Sequence, residues 1–142
     1  VNGRGTRGFG MLELVVVAML VAILLAAGMT QWQGHVAQQR LRYGVAQVAS
    51  DLRLAHERSK AERTPYTVTF TASGSGYTIV REGGGFSENA VLPEGVTTTA
   101  DLVVAFSAFG RPDAECTVTV QNAAGTVAAS VNAAGGITYQ EP

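Results

Sequence analysis

The chain has 142 residues, ten basic and eleven acidic side chains and a formal net charge of −1. That length gives room for one globular domain plus an anchor, and that charge supplies no global field to draw the molecule onto nucleic acid or an anionic surface. The single cysteine, Cys116, excludes an intrachain disulfide and leaves a buried thiol, a free thiol or an intermolecular bridge as its readings.

Two cations, Arg4 and Arg7, open the chain with no acid near them. Phe9 to Met29 then runs for 21 residues with one charge, Glu13. At a rise of about 1.5 Å per residue this is enough helix to cross a hydrocarbon core of roughly 30 Å. The positive-inside rule puts the N-terminus in the cytoplasm and the rest of the chain beyond the membrane. Glu13 is the odd residue, because a carboxylate in a membrane helix is disfavoured by up to ~3 kcal/mol and needs a partner or an interfacial position. Ala18, Ala22 and Ala26 form a small-residue stripe at i, i+4, i+8 that lets helices approach closely in lipid, although alanine is also common in such segments.

After Met29 the sequence turns polar, with Trp32 at the level of an interfacial aromatic. Gly28 and Gly34 each weaken a helix by about 1 kcal/mol relative to Ala, but neither is a stop. From Val36 the helical period resumes in amphipathic form: Leu41, Val45, Val48, Leu52 and Ala55 step by 4, 3, 4 and 3. Arg40, Gln47, Asp51, Arg53, Glu57, Arg58 and Lys60 fall on the wetter faces. Pro65 is expected to end the helix, since the residue before a proline is pushed out of helical geometry.

Past Pro65 the period changes to two. Tyr66–Thr71 and Tyr77–Arg81 read as a hairpin around Ser73-Gly74-Ser75-Gly76. Gly83-Gly84-Gly85 opens what reads as a loop to about Leu92. Further predicted strands are Gly95–Thr99, Leu102–Phe106, Cys116–Gln121, Thr126–Asn132 and Ile137–Gln140, with turns at Asn122–Gly125 and Asn132–Gly136. The class is therefore α+β, one long N-terminal helix laid on one or two small antiparallel sheets.

Nothing in this pattern points to an enzyme. His35 and His56 are isolated, no Cys/His spacing suits zinc, no nucleophile stands beside a base, and no cofactor is implied. The glycines at 74, 76 and 83–85 lack the strand-to-helix setting of a phosphate loop and read as turn chemistry.

The basic leader ending in Gly8, then Phe9, then Glu13 at the fifth position after that glycine, then an unbroken apolar helix, resembles the processing and assembly signal of type IV pilins and type II secretion pseudopilins. Leu52–Val68 and Phe106–Pro112 are similar to the matching segments of the GspH/FimT branch of minor pilins and pseudopilins, so the resemblance covers nearly the whole chain. It implies cleavage by a prepilin peptidase between Gly8 and Phe9, N-methylation of Phe9, and assembly with major and other minor subunits, with Glu13 acting in assembly. It divides the chain into a leader (1–8), a transmembrane and assembly helix (9–33), an amphipathic continuation (34–64) and a β domain (65–142). The expected location is the inner membrane as a single pass, with the β domain periplasmic, and then the filament or its tip.

Some members of that branch bind DNA through a C-terminal Gly-Arg-x-Arg element. The matching stretch here is Gly135-Gly136-Ile137-Thr138, without either arginine. DNA therefore stands as a second reading, carried only by a patch of Arg40, Arg42, Arg53, Arg58, Lys60 and Arg63. A third is an exported β domain released after a signal peptide, against which the charge of Glu13 and the amphipathic helix both argue.

Overall fold

The computed structural model describes residues 10–140, with the side chains of residues 29–31 outside the description. Helix α1 covers Met11–Glu62 and is followed by β1 (Tyr66–Phe70), β2 (Gly76–Arg81), β3 (Ser87–Val91), β4 (Thr97–Thr98), β5 (Leu102–Phe106), β6 (Cys116–Asn122), β7 (Gly125–Val131) and β8 (Ile137–Tyr139). The chain separates into two compact units, Val1–His35 and Val36–Pro142. The first is described here by the beginning of α1. The second holds the rest of α1 and both sheets.

In the second unit the strands form two antiparallel sheets in the orders β3-β2-β1-β5 and β4-β6-β7-β8. The expected stripe of Leu41, Val45, Val48, Leu52 and Ala55 is buried, joined by Ala49. It shares one core with the inward rows of the strands: Tyr66, Val68 and Phe70 on β1, Tyr77 and Ile79 on β2, Val104 and Phe106 on β5, and Val118, Val120, Val127, Ala129 and Val131 on β6 and β7. Alternation along each strand puts these residues on one face, and each full burial of such a side chain is worth about 1.5–3 kcal/mol. Gly44 belongs to the same packing. A Cβ there would stand 3.1 Å from Val96 Cγ1, so the missing side chain lets the loop before β4 close on the helix.

The helix stops at Glu62, two residues earlier than a boundary set by Pro65 alone. Arg63 takes a left-handed conformation (φ 51°), and the Thr64 amide reaches back to Ser59 O at 3.3 Å. This closes the last turn on its own carbonyls.

The segment after Gly85 is a correction to the sequence reading. Residues 87–91 form β3, paired with β2 from Gly76↔Val91 to Val80↔Ser87, where a loop was expected. Ser-Glu-Asn-Ala-Val lacks apolar alternation because an edge strand need not bury a side-chain row. The turns were legible: Asn132 Oδ1 accepts the amides of Ala134 (3.0 Å) and Gly136 (2.7 Å), and Asn122 Oδ1 that of Ala124 (2.8 Å). The two sheets are tied where Thr98 of β4 exchanges backbone bonds with the β1–β2 turn, Ser73 N to Thr98 O at 2.8 Å and Thr98 N to Gly74 O at 3.1 Å.

Candidate assembly interface

Between Met11 and Gly28 the helix of the first unit is apolar almost all round. Leu12, Leu20, Ile23 and Leu24 are all more than half exposed, and no part of the apolar stretch of α1 is buried within the chain. This stretch is long and apolar enough to cross a membrane. A helix that is hydrophobic all round takes its partners from lipid or from other helices. Ala18, Ala22 and Ala26 are exposed on it at four-residue spacing.

Glu13 lies in the first turn of α1, where its own amide and that of Leu14 bond Gly10 O at 2.9 and 3.1 Å. Its carboxylate is exposed, at the end of the helix where the dipole favours negative charge. Gly8 and Phe9, the expected cleavage and methylation positions, lie outside the described residues.

The helix cations of the second unit are largely engaged within the chain. Arg40 pairs with Glu94 (Nη2 to Oε2, 3.1 Å) and Lys60 with Glu57 (3.0 Å). Arg53 Nη2 donates to Ile137 O at 2.9 Å, and its guanidinium lies 6.0 Å from the Tyr139 ring centre. Arg58 covers Phe86 at 4.4 Å. Arg81 Nε approaches Glu62 Oε2 at 3.3 Å as an ion pair without hydrogen-bond alignment, and the same carboxylate oxygen accepts the Tyr66 hydroxyl at 2.9 Å. Arg40, Arg53, Arg58 and Arg81 tie the helix to strands and loops, whereas the Lys60–Glu57 pair lies within it, roles that charge counting along the sequence does not reveal.

Of the stretch Gly135–Thr138, Gly135 and Gly136 form a structural turn and Ile137 and Thr138 begin β8. Gly135 is buried at φ +83°, and a Cβ there would meet His56 Nε2 at 2.7 Å; at Gly136 it would meet Asn132 Nδ2 at 2.7 Å. Asn132 cannot yield easily, because it holds the turn through its Oδ1. His56 is thus a packing residue, wedged against Gly110 and Gly135 with its ring 5.6 Å from that of Phe106.

Two acid–base features belong to the second unit. The Tyr77 hydroxyl donates to Asp51 Oδ2 at 2.6 Å, and burial, reinforced by that bond, pushes the phenol well above its ordinary range. Cys116 is a free cysteine packed partly against the core, and burial raises its thiol, so it carries no activated thiolate. Among the described residues no three His, Cys, Asp or Glu side chains gather to hold a metal ion.

A long N-terminal helix followed by two antiparallel sheets of this kind is a pilin fold. The chain is similar to the crystal structure of the type IV minor pilin FimU from Pseudomonas aeruginosa PAO1, with a TM-score of 0.58 and 17% identity over 72% of this chain and 89% of that one. No protein-family model and no curated protein sequence matches it.

Proposed function

We propose that the chain is a minor subunit of a type IV pilus or a type II secretion pseudopilus, a structural and interaction protein and not an enzyme. The observation that carries this reading is the exposed apolar half of α1, attached to a unit that completes its own core without it. The likeness in fold to a minor pilin and the Gly8-Phe9…Glu13 signal support it.

In this reading the precursor sits in the inner membrane with its N-terminus cytoplasmic. A prepilin peptidase cuts after Gly8, whose lack of a side chain leaves the bond open to attack, and Phe9 is methylated. The new amine lies four residues before Glu13, about 6 Å along a helix axis. That is too far for direct contact within one helix, whereas the Glu13 of an axially displaced neighbour can reach it. Opposite charges meeting in a low-dielectric bundle attract strongly, and a misplaced subunit leaves both unpaired, so the pair fixes axial register. Ala18, Ala22 and Ala26 supply the close approach between helices.

The test is the mass and N-terminal residue of the mature protein in cells that have a prepilin peptidase. Methylated Phe9 is expected, and Gly8→Val should block the cut. An N-terminus at Met29, or a chain left uncut, overturns the reading.

A further inference from the structure

The net charge of −1 hides a division. Residues 66–142 carry seven acidic and two basic side chains, whereas residues 36–64 carry six basic and three acidic. The strands therefore set up a negative field against a positive helix half. On the first sheet that field meets an apolar groove. Tyr66, Val68 and Phe70 point into the core, so Thr67 faces outward, and its register partners on either side are Val80 and Ala105. This cross-strand row, with Pro65 beside it, floors a groove of about 540 Å³ that no cation lines. Two carboxylates flank it. The Glu82 amide bonds Pro65 O at 2.9 Å on the β2 side, and the Asp113 amide bonds Ala105 O at 3.0 Å on the free side of β5. Across the three strand spacings between them, the flanking backbones stand about 14 Å apart. Both acids are exposed, and neither enters an ion pair among the described residues, whereas Glu57 and Glu62 of α1 do.

We propose that this groove docks a cationic segment of another filament subunit, an inference that rests on the assembly reading above. A lysine or arginine fits it by chemistry. The aliphatic stem lies on Val80 and Ala105, and the charged head reaches Glu82 or Asp113. An anionic occupant is repelled by both acids, and a purely apolar one strips water from two carboxylates without pairing them. The bonds that hold the Glu82 and Asp113 backbones fix where those charges stand before anything binds. A single exposed ion pair contributes little, so the apolar row supplies contact area while the acids select the partner and steer it. Such a contact is too weak to capture a protein from dilute solution. Neighbouring subunits meet it at the high effective concentration of a filament, where a weak charged contact suffices.

The test puts p-benzoylphenylalanine in place of Val80, which is 38% exposed at the groove, in the full-length chain within cells that assemble filaments. Photo-adducts in the sheared filament fraction are then mapped by mass spectrometry. Expected is an adduct to another subunit within a few residues of one of its lysines or arginines, weakened when isolated filaments are irradiated at higher salt. The adduct should be lost with Glu82→Lys/Asp113→Lys and reduced with Glu82→Gln/Asp113→Asn. Resistance to chymotrypsin equal to that of the wild type shows that each variant is folded, and the neutral pair carries the test if charge reversal unfolds the domain. No adduct from chain recovered in filaments, an adduct remote from any cation, an adduct only to a protein outside the filament, or a yield indifferent to the two carboxylates overturns the proposal. A chain missing from filaments altogether overturns the assembly reading, and the proposal with it.

Discussion

The two halves of α1 are built from similar apolar residues and end in opposite states. Between Met11 and Gly28 nearly every position is apolar and every one is exposed; between Leu41 and Ala55 most apolar positions form a stripe that is buried, with Tyr43 and Leu54 off it and exposed. The difference lies in arrangement more than in hydrophobicity. A stripe on a polar helix is satisfied by one partner, which the chain provides as its own sheets. An all-round apolar surface calls for an all-round partner, which one small domain cannot supply.

The largest expected effect is in the second half. Phe106→Ala empties a fully buried site against α1 and should cost about 3–5 kcal/mol in denaturant unfolding. Placing a charge in the first half separates the two: Leu24→Arg should weaken membrane insertion by roughly 2.5–3.5 kcal/mol, read as protein shifted out of the membrane fraction, with the unfolding of the β domain unchanged. If it unfolds the β domain as well, the two regions are not independent.

Tyr77→Phe removes one part-buried bond to Asp51 and should cost about 1 kcal/mol near neutrality. Because the folded-state phenol is raised above its ordinary value of 10.0, its contribution is complete below that pH. The contribution is lost above it, where the unfolded chain gives up the proton and the folded one keeps it. The alkaline fall in melting temperature should be shallower in the variant. Smallest is Glu57, held below its usual 4.5 by Lys60 at the exposed end of the helix. Its small contribution is present above that value and lost as pH falls through the lower folded-state one, so Glu57→Gln should slightly flatten the acid limb of a melting-temperature profile.

What could be read from the sequence follows the same division. The helical stripe, the first hairpin and the Asn132 turn were legible because periodicity and turn chemistry are local. The pairing of β1 with β5 across more than thirty residues was not, since no local pattern encodes it. β3 was hidden because an edge strand needs no apolar alternation. At the candidate interface, Glu13 stood out as a charge where none is expected, whereas the clamping roles of Arg40, Arg53 and Arg58 arise only from contacts with distant segments.

The most direct test of the claim that the first half of α1 finds its partner in neighbouring subunits is the amount of mature chain recovered with sheared filaments, compared between wild type and Glu13→Ala. Expected is wild-type chain in the filament fraction, and a variant that is inserted, cut after Gly8 and folded but left in the membrane. Equal recovery of the two would contradict the register role of Glu13, and absence of the wild-type chain from filaments would contradict assembly itself.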